Sequence, residues 1–154
     1  MKSNWRFSFD FKPTQMANAW ETCLGIYDNG PGDERRVLRM FMLPNTLDFR
    51  MHYEFDSTNT GIVPVFDTHS NALTLNEWNT VEVSQIVQDG NSMLVFKVNG
   101  FIYHNTANVN PRTYPALDFY IAYGSWQSAY GQMRNFQFYS ADLATDIPAL
   151  GTYK

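Results

Sequence analysis

The chain holds one cysteine, Cys23, among 154 residues, so no intrachain disulfide can form. Its surroundings, Trp20 through Ile26, read as strand. Such a thiol either packs as a small hydrophobe or bridges to Cys23 of a second copy, which needs an exposed strand and an oxidising compartment. Charge is also scarce: Asp, Glu, Lys and Arg make up 17% of the residues, and 11 basic against 15 acidic side chains leave −4 at pH 7. That balance lacks the basic face that a nucleic-acid partner requires. With 44% of residues apolar, it is also the reverse of the composition of a disordered chain. No apolar run approaches the ~18 residues of a membrane-spanning helix, and no membrane insertion is expected. Between Met1 and Phe11 there is no apolar stretch of the roughly 7–15 residues that marks a secretory leader. The sequence as it stands therefore fits a cytosolic protein or a secreted one whose leader has been removed. No Asn-x-Ser/Thr site is present. His52, His69 and His104 are far apart and lack zinc-ligand spacing.

Aromatic residues are abundant: 12 Phe, 9 Tyr and 4 Trp, 16% of the chain. Most belong to a period of two. Trp5, Phe7, Phe9 and Phe11 alternate with Arg6, Ser8, Asp10 and Lys12, and Leu47, Phe49, Met51, Tyr53 and Phe55 alternate with Asp48, Arg50, His52 and Glu54. Both runs predict half-buried strands. Further strands are expected over 35–43, 73–75, 80–87, 93–98, 101–104, 117–123 and 133–139. They are separated by turn sequences, of which Asn99-Gly100 is the strongest because it suits the positive φ angles of a type I′ turn. Many short strands without a linker or repeat predict a single all-β domain over 1–154, an antiparallel β-sandwich or jelly roll. Residues 143–154 are expected to form an irregular tail.

The segments Leu73–Val83, Met93–Gly100, Leu117–Gly124 and Gly131–Phe138 resemble the laminin-G and concanavalin-like jelly-roll families. The shared pattern is a polar turn, a Trp and a strand, then a strand ending in an Asn-Gly hairpin, then the two closing strands. The resemblance covers about half of the chain closely and the first half by strand rhythm, and it implies a fold that hosts lectins, adhesion modules and polysaccharide-cleaving enzymes. The size and aromatic content are similar to those of the small galactose-binding lectins of marine invertebrates. That likeness implies reversible binding of terminal galactosides, an extracellular location and a homodimer or higher homo-oligomer. Asn108–Arg112 also resembles the His-x-Asn-Pro-Arg element of galectins, but no Trp-Gly-x-Glu-x-Arg follows.

An enzyme is not expected. Glycosidases on this fold carry Glu-x-Asp-x-x-Glu, and the nearest stretch, Glu54-Phe-Asp56-Ser-Thr-Asn59, has Asn where the general acid belongs. Sugar recognition needs an aromatic platform and planar hydrogen-bonding groups around it. Two loops carry these groups. Trp126, Gln127 and Tyr130 lie in the glycine-flanked segment 123–131, and His104, Asn105, Asn108 and Arg112 lie in 104–114. The acidic turn 28–34 supplies Asp28 and Asp33, the candidate ligands for a calcium ion. The alternatives are a laminin-G-like module that binds a protein and a glycan-cleaving enzyme built on Glu54. Single sugar sites are weak, so clustered copies are expected, with Cys23 as a candidate intermolecular bridge.

Overall fold

In a computed structural model of the chain, the residues described are 4–28, 36–53, 65–108, 117–121 and 127–141. Among the described residues, eleven strands run in chain order: β1 (Asn4–Pro13), β2 (Glu21–Asp28), β3 (Arg36–Met42), β4 (Phe49–Tyr53), β5 (Val65–Asp67), β6 (Asn79–Gln88), β7 (Asn91–Val98), β8 (Phe101–Ala107), β9 (Leu117–Tyr120), β10 (Gln127–Ser128) and β11 (Gly131–Ala141). They form two sheets, ordered β11-β1-β6-β7-β8 and β10-β2-β3-β4-β5, with β9 also paired to β2. Two compact units follow the sheets, the first comprising residues 1–12, 77–113 and 132–154 and the second 13–76 and 114–131.

In the first unit the alternation read from the sequence sets the faces. Trp5, Phe7, Phe9 and Phe11 are buried, and the residues between them are half-buried. Phe7 pairs with Val83, which pairs with Phe96, so one apolar row crosses three strands. Burying each such side chain contributes roughly 1.5–3 kcal/mol. The opposite face carries charge: Glu82 meets its register partner Lys97 at 3.2 Å and, diagonally, Arg6 at 3.8 Å. The β7–β8 hairpin turns at Asn99 (φ 52°) and Gly100 (φ 81°), the type I′ geometry expected of Asn-Gly.

The second unit repeats the logic around methionine. Leu24, Met40 and Met51 are fully or almost fully buried, and Met40 is the register partner of both others. Arg50 and His52 alternate with Phe49, Met51 and Tyr53 and so share the other, half-exposed face of β4. A bulge between Thr22 and Leu24 leaves Cys23 without a register partner on β3.

One expectation changes. Residues 73–75 are not a strand. Leu73 makes one backbone bond, to the Leu47 carbonyl at 3.0 Å, and the chain then turns at Asn76 with φ 61°. The short strands β5 and β10 have too few residues for a periodic signal and went unforeseen. Within the segment 35–43, which also fits helical spacing, Arg36–Met42 forms strand β3, as expected. Glu54 and Phe55 lie outside the described residues.

Candidate functional site

Cross-strand register on the second sheet lines up Thr22, Phe41, Arg50 and Asp67 in one row, with Arg39, His52 and Val65 in the next. Trp20, just before β2, closes over this row. Its ring meets Phe41 edge-on, at 6.5 Å and 85°, and the Arg50 guanidinium carbon lies 4.6 Å from the Trp20 ring centroid. Phe41 and His52 pack at 5.0 Å with their rings tilted by 58°. Trp20, Phe41, Arg50 and His52 line a cavity of about 150 Å³. That is smaller than the roughly 300–1,000 Å³ of drug-sized pockets and suits a single ring.

Arg50 is held on a second side by its strand partner. Its Nε donates to Asp67 Oδ1 at 2.6 Å and its Nη2 to Asp67 Oδ2 at 2.5 Å. The hydrogen bonds to Asp67 raise the guanidinium's pKa further above its ordinary range against a small opposing effect of burial, so Arg50 is a permanent cation. Asp67 in turn is positioned by the segment that follows it. The buried Asp48 carboxylate accepts the Thr68 hydroxyl at 3.0 Å and the backbone N–H groups of Ala72 at 2.8 Å and Asn71 at 3.1 Å. Thr68 Oγ1 also accepts the Phe49 N–H at 2.8 Å. Together these bonds tie residues 68–72 to the start of β4 and keep β5 in register.

The next row is packed by the Tyr27 ring. The buried Tyr27 ring covers Gly25, its hydroxyl accepts Arg39 Nε–H at 2.7 Å, and Tyr120 meets it edge-on at 5.5 Å. The face thus offers aromatic surface, an imidazole and an ion-paired guanidinium. These are the groups that bind the apolar side and the hydroxyls of a sugar ring.

Among the described residues, none of those singled out from the sequence lines this cavity. Trp126, Arg112 and Asp33 are outside the described residues, as are the side chains of Asp28 and Gln127. The backbones of the last two are in strands: Asp28 ends β2 opposite Leu117, and Gln127 pairs with Glu21 in the parallel β10–β2 contact. Tyr130 is 44% exposed, and its carbonyl accepts the Thr14 N–H. His104 and Asn105 are neighbours on β8, opposite Phe96 and Val95 respectively. They therefore point to opposite faces of the sheet and do not converge. Half-buried beside Phe96, His104 has its pKa pulled below the usual imidazole value by desolvation.

Asn108 is a correction. It is 5% exposed, and its Nδ2 donates to the buried Gln85 Oε1 at 2.7 Å, so the amide holds the sheet together instead of facing a ligand. Cys23 is another. It is 1% exposed, and burial first and the charge of Glu21 second push its thiol far up, so it is not presented for a bridge to a second copy.

Trp20, Phe41, Arg50, His52 and Asp67 were missed as a group. The available signal was a Trp directly before a strand and two planar polar residues, Arg50 and His52, at the solvent phase of the 47–55 alternation.

No protein-family model and no curated protein matches the sequence. Solved structures do match. The CBM40 module of the Ruminococcus gnavus IT-sialidase, bound to α2,3-sialyllactose, superimposes with a TM-score of 0.62 at 16% identity, over 93% of this chain and 79% of that one. A native heptameric SAP-like pentraxin from Limulus polyphemus gives 0.57 at 9% identity, over 88% of this chain and 63% of that one. The botulinum neurotoxin serotype D binding domain gives 0.61 at 14% identity, over 92% of this chain but only 35% of that one. At these identities the likeness shows the fold alone, an antiparallel β-sandwich of the jelly-roll type, as the alternation and turn spacing predict.

Proposed function

We propose that this protein is a lectin, which binds sugars reversibly without cleaving them at the face formed by β3 and β4. The observation that carries the reading is the cavity of about 150 Å³ in which Trp20 and Phe41 supply aromatic surface beside Arg50 and His52. A pyranose laid on Trp20 would bury its C–H face there, while its hydroxyls reach the guanidinium and imidazole. One of the similar proteins supports the class: the Ruminococcus gnavus CBM40 module is seen bound to α2,3-sialyllactose and to α2,6-sialyllactose. The non-catalytic reading is supported by the described residues that line the cavity, none of which is a carboxylic acid.

A terminal galactoside is the favoured ligand, on the resemblance to invertebrate lectins. Calcium held by Asp28 and Asp33 remains part of the proposal on the acidic turn alone. Among the described residues no cluster of three His, Cys, Asp or Glu side chains could hold a metal. Secretion and a non-covalent homo-oligomer that gathers weak sites complete the reading. The test is a glycan array on the purified chain with calcium and again with EDTA. Terminal galactosides are expected to give signal, signal lost in EDTA establishes metal dependence and makes the 28–34 turn the first target for mutation, and silence on every glycan overturns the lectin.

A laminin-G-like protein-binding module is the second reading. It is favoured by the exposure of Phe136 (43%), Phe138 (47%) and Tyr139 (47%) along β11. It predicts capture of a protein partner and no response to sugars.

A further inference from the structure

Resting on the lectin reading, we infer that the Trp20 site is selective for uncharged sugars, and that Asp67 is the residue that excludes carboxylated ones. A carboxylated sugar is normally anchored by a bidentate guanidinium. Here the cation of the cavity, Arg50, has already spent its Nε and one Nη2 proton on Asp67, at 2.6 and 2.5 Å. The pair is net neutral, and both partners are about one-third exposed, so Asp67 presents its negative charge to whatever approaches Arg50. The guanidinium plane is also fixed by Trp20, 4.6 Å from its central carbon. Turning it to meet a second carboxylate would break the stacking and the ion pair together. Its remaining N–H groups can still donate to neutral hydroxyls, which carry no charge for Asp67 to repel.

The cross-strand register makes the pairing a property of the fold: Arg50 and Asp67 are direct partners on β4 and β5, and the Asp48 hydrogen bonds hold the chain just beyond Asp67. The second arginine on this face, Arg39, donates its Nε to Tyr27 Oη in the adjacent row. The ligand class is therefore a neutral hexose, such as a terminal galactose without a sialic-acid cap.

The experiment is calorimetric titration of the intact chain with lactose and with 3′-sialyllactose, on wild type, Asp67→Asn and Trp20→Ala. Wild type is expected to prefer lactose by about tenfold or more, the size of a like-charge penalty at a binding face. Asp67→Asn is expected to narrow that ratio by about tenfold, chiefly through tighter binding of sialyllactose. Equal or tighter binding of sialyllactose by wild type, lost in Trp20→Ala, would keep the lectin and overturn the selectivity. Failure of both sugars to bind any variant would instead overturn the galactoside-lectin reading on which the inference rests. Should Asp67→Asn unfold, the wild-type ratio alone still decides.

Discussion

The ring of Tyr27 lies so close over Gly25 that a Cβ at residue 25 would sit 2.7 Å from Tyr27 Cε2. Real Cβ atoms do not approach that closely, and the ring is wholly buried with its hydroxyl bonded to Arg39. Gly25→Ala is therefore expected to cost about 1–3 kcal/mol, the range for forcing an extra methyl into a packed site. Denaturant unfolding measures it. In a Tyr27→Leu background the same substitution should cost clearly less, and an unchanged cost would show that the ring is not the obstacle.

Asp48 is expected to matter beyond its own bonds. Asp48→Ala leaves the Ala72 and Asn71 N–H groups without their acceptor, at roughly 1–3 kcal/mol for each one that stays buried. Because those bonds tether the chain after β5, sugar affinity should fall along with stability. A variant that loses stability but binds sugar with unchanged affinity would separate Asp48 from the site.

Acid should destabilise the fold through His104. Its folded pKa lies below the ordinary 6.5 because burial disfavours the imidazolium. Below that value the unfolded chain binds a proton that the folded chain resists, so stability is lost as pH falls from about 6.5. Urea unfolding at pH 7.5 and pH 5 should show a smaller loss for His104→Gln than for wild type, and equal losses would contradict it. Asp10 acts lower on the scale. Burial raises its pKa, but hydrogen bonds from Asn135, Thr80 and Arg134 outweigh that and leave it below 3.8. The stability it contributes is present above that value and lost in stronger acid, outside the His104 window.

Much of this architecture was legible in the sequence, and the reason is the period of two. The β1 and β4 alternations named their buried and half-exposed residues one by one, and Asn99-Gly100 named its turn. The site was not legible because register creates it. Arg50 and Asp67 are 17 positions apart and meet only because β5 pairs with β4, a strand of 3 residues with no pattern of its own. Asn108 misled for the opposite reason: an amide in a polar segment reads as a surface donor, and only the Gln85 contact shows it turned inward.

Cys23 is expected to resist modification. Native protein should react slowly with maleimide and fully once denatured, since the thiol is buried and its thiolate disfavoured. Gels with and without reductant should show the same monomer band. A reductant-sensitive dimer would restore the bridge.

The location of the sugar site is tested most directly by following the tryptophan indole N–H resonances during a lactose titration. Trp20 is expected to shift in a saturable way, with Trp126 and buried Trp5 little changed, and Trp20→Ala should weaken binding by about tenfold or more, as the loss of a stacked aromatic implies. Saturable shifts at Trp126 with Trp20 unmoved, and full affinity in Trp20→Ala, would contradict the site and return it to the 123–131 loop.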